Sequence, residues 1–416
     1  MTEISYKGTI RPLSQLKKSL LHYAAKFPFC AYLDNCESDI DKYGKYELLV
    51  AVASENAQQI TSWEQMKNAP KTWLFGILPY ELKHVFEENL QRATESEMSF
   101  SEVAFFVPET LWYLKRGEKE LKIWGKECDF ETKIPEKNAQ LPLSFQSNFT
   151  KSRYISTIEQ IKSDIKEGDF YELNLAQRFF AKVNLHNPAQ IFDDLIAISP
   201  VPFAAFIRFK NQYLMCASPE RFLQLSDNQL VSQPIKGTSK RGKDALEDEK
   251  EKDYLRNSEK EQAENIMIVD LTRNDLYRSA EINSVQVPHL FEIQTFPTLH
   301  QLVSTVTARK RKEVSWQQTL ENTFPPGSMT GAPKVMTMNK IAQYESLSRG
   351  IYAGSAGYIS PEGDYDFNVI IRSLIYEEGK NLLTYYMGGA ITFDSIPEQE
   401  YEETLVKAKA IHKVFK

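Results

Sequence analysis

"ALEDEKEKDYLRNSEKEQAENIMIVDLTRNDL", residues 245–276, begins as a charged helix and ends as an apolar one. Over 247–260 the mixed charges read as a solvated face. The register then changes. Glu261, Glu264, Ile268 and Leu271 fall on one stripe at spacings of 3, 4 and 3, which brings side chains together on a helix. Residues 266–269 are apolar on every side, so this end is expected to be buried, with Glu261 and Glu264 at the mouth of a core. The C-terminal stretch "EQEYEETLVKAKAIHKVF", residues 398–415, repeats the arrangement. Glu400, Thr404, Ala408, Ile411 and Phe415 form one stripe, and Glu403 lies one turn from Glu400. Four carboxylates entering apolar surroundings cannot all stay charged without a cation. A hard, oxygen-loving ion suits them, and Mg²⁺ fits if a substrate anion completes its shell. E-x-x-E pairs are common, so spacing alone leaves the solvated-face reading open.

Working outward, strands and helices come in blocks rather than in strict βαβ alternation, which points to an α+β fold. "YELLVAVAS" (46–54), "EVAFFVPETLWYLKRG" (102–117), "PFAAFIRF" (202–209) and "QYLMCASPE" (212–220) read as strands. "WEQMKNA" (63–69) and "PYELKHVFEENLQRA" (79–93) read as helices. "KIPEKNAQLPLSFQSNFT" (133–150) reads as a linker. It divides an N-terminal part, 1–140, from a region spanning 148–416, the two expected to form one intertwined globular unit. After it, Ile155, Ile158, Ile161 and Ile165 recur at helical spacing until Gly168 closes the helix. "PIKGTSKRG" (234–242) reads as a strand end and loop holding Lys236. No internal repeat, G-x-G-x-x-G or Walker A loop is found.

The 416 residues carry a formal net charge of -6. That balance argues against general nucleic-acid binding. It also requires local charges or a metal to hold an anionic substrate. The four cysteines, Cys30, Cys36, Cys128 and Cys216, form no C-x-x-C pair and are expected to be reduced. The start has no apolar signal core, and no run of 18 apolar residues occurs, so no membrane association and a cytoplasmic location are expected.

Six stretches, "PIKGTSKRG", "AENIMIVDLTRNDL", "PPGSMTGAPK", "YAGSAGYIS", "NVIIRS" and "SIPEQEYEETLVKAKAI", stand in an order that resembles the chorismate-utilising enzymes. That family includes the anthranilate, aminodeoxychorismate, isochorismate and salicylate synthases. The resemblance is strong over about 148–416 and weak before it. It implies a large two-layered α+β sandwich of mostly antiparallel sheets, helices outside and the active site between the layers. By the same resemblance Glu264 and Glu400 are Mg²⁺ ligands, supported by Glu261 and Glu403 directly or through water, and the ring carboxylate of chorismate completes the shell. Arg372 and Tyr352 match residues that hold the enolpyruvyl carboxylate; a guanidinium suits it because its fork pairs bidentately. Gly388 and Gly389 match the place where peptide N–H groups approach the substrate, although Ala390 follows where a third glycine is frequent. Ser328 and Thr330 are expected to donate hydroxyls to the substrate. Glu220 matches the general acid that protonates the departing 4-hydroxyl. Gln301 stands where many members have His. The neighbouring His300 faces the opposite side of a strand and cannot simply replace it.

Within this family the residue between "PI" and "GT" separates chemistries. A small residue is usual in anthranilate synthases and a lysine in aminodeoxychorismate synthases. If the Lys236 amine adds to C2 of chorismate, ammonia is directed to C4, which yields 4-amino-4-deoxychorismate. This needs a neutral amine, so a Lys236 pKa lowered by burial and local cations is expected. The resemblance is therefore nearest to the component I chains of aminodeoxychorismate synthases. Anthranilate synthase component I and, after it, isochorismate synthase are the alternatives. A silent binding or regulatory member is the reading of a different class. No glutaminase Cys-His-Glu arrangement is recognised, so ammonia is expected from a separate glutamine amidotransferase subunit. No appended lyase domain is expected. "AYLDNCES" (31–38) partly matches an effector-binding motif.

Overall fold

The computed structural model describes residues 3–7, 9–95, 100–127, 130 and 142–415. Cys128 and residues 133–141 of the expected linker lie outside the described residues. Two large sheets, of eleven and ten strands, form the molecule's layers. Every pairing between their described strands is antiparallel.

Residues before the linker contribute strands to both sheets. Phe29–Asp34 pairs with Phe203–Phe209 in one, and Leu74–Leu78 pairs with Ser355–Ile359 in the other. The alternation of side chains along a strand explains the layering. Phe29 and Ala31 enter a core shared with Phe75, Phe105 and Phe367 of the second sheet. Cys30 and Tyr32, on the opposite face, pack with Leu16 and Leu20 of helix Leu13–Ala24 and with Ile191 and Phe192 of helix Pro188–Ile198. Along this strand, side chains thus alternate between the space between the layers and the space under the outer helices.

Local signals set the helices. Thr150 accepts from the Arg153 N–H at the start of Lys151–Glu167, and Gly168 ends it at φ 92°. Its buried face is Tyr154, Ile158 and Ile161, with Ile155 and Ile165 only half-buried. The charged stretch is two helices, Ala245–Asn257 and Glu259–Tyr277, because Ser258 is extended and caps the second. On the second helix Glu264, Asn265, Ile268 and Val269 are buried, but Ile266 is exposed and Leu271 half-buried. The all-round burial expected over 266–269 is thereby corrected: the helix packs on strands Leu299–Arg309 and Ile235–Lys240 and leaves Ile266 facing outward. The C-terminal stripe of Glu400, Thr404, Ala408, Ile411 and Phe415 is buried throughout.

Candidate active site

The chain crosses between the sheets twice near one spot. Residues 219–220 link strand Gln212–Ser218 to Arg221–Ser226, and residues 369–372 link Tyr365–Asn368 to Ser373–Glu377. A cleft of about 1040 Å³ opens there, between the layers. Its walls include Glu220, Lys236, Glu261, Glu264, Gln301, Ser328, Tyr352, Arg372, Gly388, Gly389, Glu400 and Glu403. Thr330 does not line it; this residue is fully buried and its hydroxyl donates to the Gly327 carbonyl at 3.0 Å.

Lys236 lies in a strand, Ile235–Lys240, rather than in the loop expected from its neighbours. Ile235 pairs with Val303 and Thr238 with Gln301, so one strand advances three residues while its partner advances two. That is a β-bulge, and Gly237 makes it possible. Its φ is +88°, and a Cβ there would lie 2.9 Å from Glu261 Oε2 and 3.2 Å from Leu255 and Leu302.

The Lys236 ammonium donates to Glu172 Oε1 at 2.5 Å. Burial lowers the lysine's pKa, as the sequence suggested, but Glu172, with Glu264 and Glu220 behind it, outweighs burial and the net shift is upward. The expectation of a lowered value is therefore corrected: a buried carboxylate, not a cation, is the nearest charge. Glu172 opens an apolar strand, Glu172–Lys182, and is 0% exposed. A charge at the head of "ELNLAQRFF" is the signal that could have marked it.

Glu220 is buried, and burial pushes its carboxyl up to about 7, against the opposing pull of Ser328, Lys236 and Arg372. Ser328 donates to Glu220 Oε1 at 2.6 Å, so its hydroxyl is engaged with this carboxyl. Arg372 has a left-handed backbone, φ 52°, a conformation that costs a non-glycine residue roughly 1–3 kcal/mol. Burial pushes its guanidinium down to about 10, with only Glu220 opposing. Among the described residues no carboxylate forms an ion pair with it. A half-buried guanidinium with no carboxylate partner among the described residues, held by a strained backbone, is suited to an incoming anion.

The remaining walls are polar and close-packed. Tyr352 stacks on Tyr386 with ring centroids 4.7 Å apart. A Cβ at Gly388 would meet the Leu175 carbonyl oxygen at 2.2 Å, so this glycine serves strand packing. A Cβ at Gly389 would instead point to Glu400 Oε2 at 3.4 Å, across the cleft wall. Gln301 faces the cleft, whereas His300 is fully buried on the other side, bonded to Asp248 and Thr295. Gln301 Oε1, Asn174 Oδ1 and Glu264 Oε1 are buried without a hydrogen-bond partner. These three residues line the cleft, where solvent or a ligand can meet such acceptors. Asn174, Lys260 and Lys407 also line the cleft and were not singled out from sequence.

The four glutamates are not equivalent. Glu264 and Glu400 are buried, 9% and 7% exposed, whereas Glu261 is half-buried. Glu403 reaches solvent and is held below the usual carboxylate range by Lys407, 2.6 Å away. This corrects the picture of four carboxylates in an apolar setting. Glu264 Oε1 and Glu400 Oε1 converge on one ammonium, that of Lys260, at 3.8 and 3.9 Å. Burial raises both carboxyls, that of Glu264 to about 7. Among the described residues no three His, Cys, Asp or Glu side chains are grouped to hold a metal alone. The donor set therefore fits an ion that takes one or two carboxylates and completes its shell with water or substrate oxygens, which is the habit of Mg²⁺.

A cleft of this composition between two antiparallel layers defines a class. The family model described as chorismate binding enzyme matches residues 20–413, and the chain belongs to that family. Among curated relatives, the chloroplastic aminodeoxychorismate synthase of Arabidopsis thaliana is 41% identical over 276 residues, 66% of this chain and 30% of that protein. Aminodeoxychorismate synthase component 1 of Escherichia coli K12 is 40% identical over 279 residues, 67% of this chain and 61% of that protein. The chain thus spans less than two thirds of the length of these relatives. The crystal structure of anthranilate synthase component I from Streptococcus pneumoniae superposes with a TM-score of 0.73 at 25% identity, covering 99% of this chain and 89% of that one. No helix among the described residues is long and apolar enough to cross a membrane.

Proposed function

We propose that the chain converts chorismate and ammonia to 4-amino-4-deoxychorismate, the precursor of 4-aminobenzoate in folate biosynthesis, in the cytoplasm. The observation that carries this reading is Lys236: a half-buried lysine whose primary amine lines the cleft, held by a bulge beside the general-acid candidate Glu220. In this reading Arg372, with Tyr352, holds the enolpyruvyl carboxylate. Glu264 and Glu400 would hold Mg²⁺, with Glu261 and Glu403 in support. When bound, the ion supplies positive charge for the ring carboxylate. The Lys236 nitrogen forms a bond to C2, the ring double bonds shift, and the C4–O bond breaks. Glu220 gives its proton to the leaving oxygen, so water departs rather than hydroxide. Ammonia then adds at C4 and the lysine nitrogen leaves C2. The enolpyruvyl group is kept. Ammonia would come from a separate glutamine amidotransferase subunit.

The test is product identity. With chorismate, Mg²⁺ and an ammonium salt, the purified chain should form 4-amino-4-deoxychorismate. Anthranilate as the product would move the assignment to ammonia at C2, isochorismate would move it to water, and binding without turnover would make the chain a non-catalytic member.

A further inference from the structure

We infer that Glu172 is the proton acceptor for Lys236: it takes the ammonium proton as the nitrogen adds to the ring and returns it as the nitrogen leaves. This rests on the proposed use of Lys236 as nucleophile and adds a residue to it. Three observations carry it. The carboxylate touches the reacting atom, at 2.5 Å. It comes from another strand, 64 residues away in sequence, and is fully buried. Its second oxygen, Oε2, is buried with no hydrogen-bond partner, leaving one oxygen free of competing donors.

The pairing poses a chemical problem that the carboxylate itself resolves. As an ammonium ion, Lys236 has no lone pair to offer C2. Its upward pKa shift comes chiefly from Glu172. A proton passed along the existing hydrogen bond frees the amine and leaves a neutral pair, which a low-dielectric wall tolerates better than a separated charge. The protons balance. Glu172 holds the first proton. Glu220 loses its proton to the departing hydroxyl and regains one from the new C2–N ammonium. When ammonia adds at C4, Glu172 protonates the leaving lysine nitrogen, and the C4 ammonium restores the Lys236 charge. The other charged groups around this nitrogen are Glu220 and Arg372 at the crossings, Glu261 and Glu264 on helix Glu259–Tyr277, and Glu403 on helix Pro397–Lys407. Among the described residues Glu172 is the carboxylate that forms an ion pair with Lys236.

The test compares wild type, Glu172→Gln and Glu172→Asp by product, kcat, chorismate KM and pH profile. Glu172→Gln should keep KM within about twofold and lower kcat at neutral pH by ~10²-fold or more, the usual worth of a positioned acid or base. Its rate should climb with pH, as solvent takes over the proton. Glu172→Asp should recover part of the rate and restore a wild-type-shaped profile. Wild-type kcat and profile in Glu172→Gln would overturn the inference alone. Equal losses in both variants with unchanged profiles would also overturn it, because they describe packing. A wild-type product other than 4-amino-4-deoxychorismate would remove the proposed function, and this inference with it.

Discussion

Glu220→Gln should lose activity and gain stability at the same time, and both follow from one buried carboxyl. Raising a carboxyl from 4.5 to about 7 corresponds to roughly 3 kcal/mol against its ionised form. At neutral pH about half of Glu220 is then protonated, where an ordinary glutamic acid would be protonated in roughly 1 molecule in 300. Turnover should fall about tenfold per pH unit above the shifted value as this proton is lost. The folded-state pKa lies above the unfolded one, so the stability this carboxyl contributes is fully present below about 4.5 and is lost as pH rises through about 7. Glutamine does not titrate. Glu220→Gln should therefore match the wild type in denaturant unfolding at about pH 4 and exceed it by up to roughly 3 kcal/mol at about pH 8. Its kcat should drop by ~10²-fold or more. Ser328→Ala moves the other way: it removes a donor that favours the carboxylate, so the falling limb shifts to higher pH. Rates must be compared at constant free ammonia, because the ammonium equilibrium also moves with pH. A fully active Glu220→Gln, or a variant less stable than wild type at about pH 8, would refute the reasoning.

The cation and the fold offer separate checks. Glu264→Gln or Glu400→Gln should abolish turnover with the circular-dichroism spectrum unchanged, and EDTA should abolish it in the wild type; full activity in EDTA would remove the metal assignment. Arg221 is 0% exposed and bonds Asp41 and Asp366 at 2.9 Å each, tying the N-terminal part to the second sheet. Arg221→Met leaves both carboxylates buried and unpaired and should cost about 3–5 kcal/mol in urea unfolding; a loss below about 1 kcal/mol would mean that water reaches them.

What was legible in the sequence follows from the range of each interaction. The stripe from Glu400 to Phe415 recurs at helical spacing, so spacing alone places it, and the two-residue period does the same for the facing of Gln301 and His300 along their strand. Ser258 gives no sign of a break in the sequence, because a serine in a charged helix run is ordinary; the break shows in its side chain accepting from the Glu261 N–H. The exposure of Ile266 has a related reason: an apolar cluster states how much surface a helix could bury, not how many partners surround it. The bulge at Lys236 depends on a register set by Val303 and Gln301, far along the chain. Glu172 was missed most consequentially. Nothing near it in sequence reveals that it meets Lys236, and the sign of the lysine's pKa shift turns on that meeting.

The most direct measurement is peptide mass spectrometry of Lys236 after incubation with chorismate and Mg²⁺ in the absence of ammonia, followed by a rapid quench. The account predicts that the Lys236 peptide gains the mass of chorismate less one water, since the C2–N bond forms as the 4-hydroxyl leaves, and that added ammonium discharges the adduct as 4-amino-4-deoxychorismate. Lys236→Ala should give no adduct and form product far more slowly. An unmodified Lys236 peptide, together with wild-type rates of 4-amino-4-deoxychorismate formation by Lys236→Ala, would contradict it.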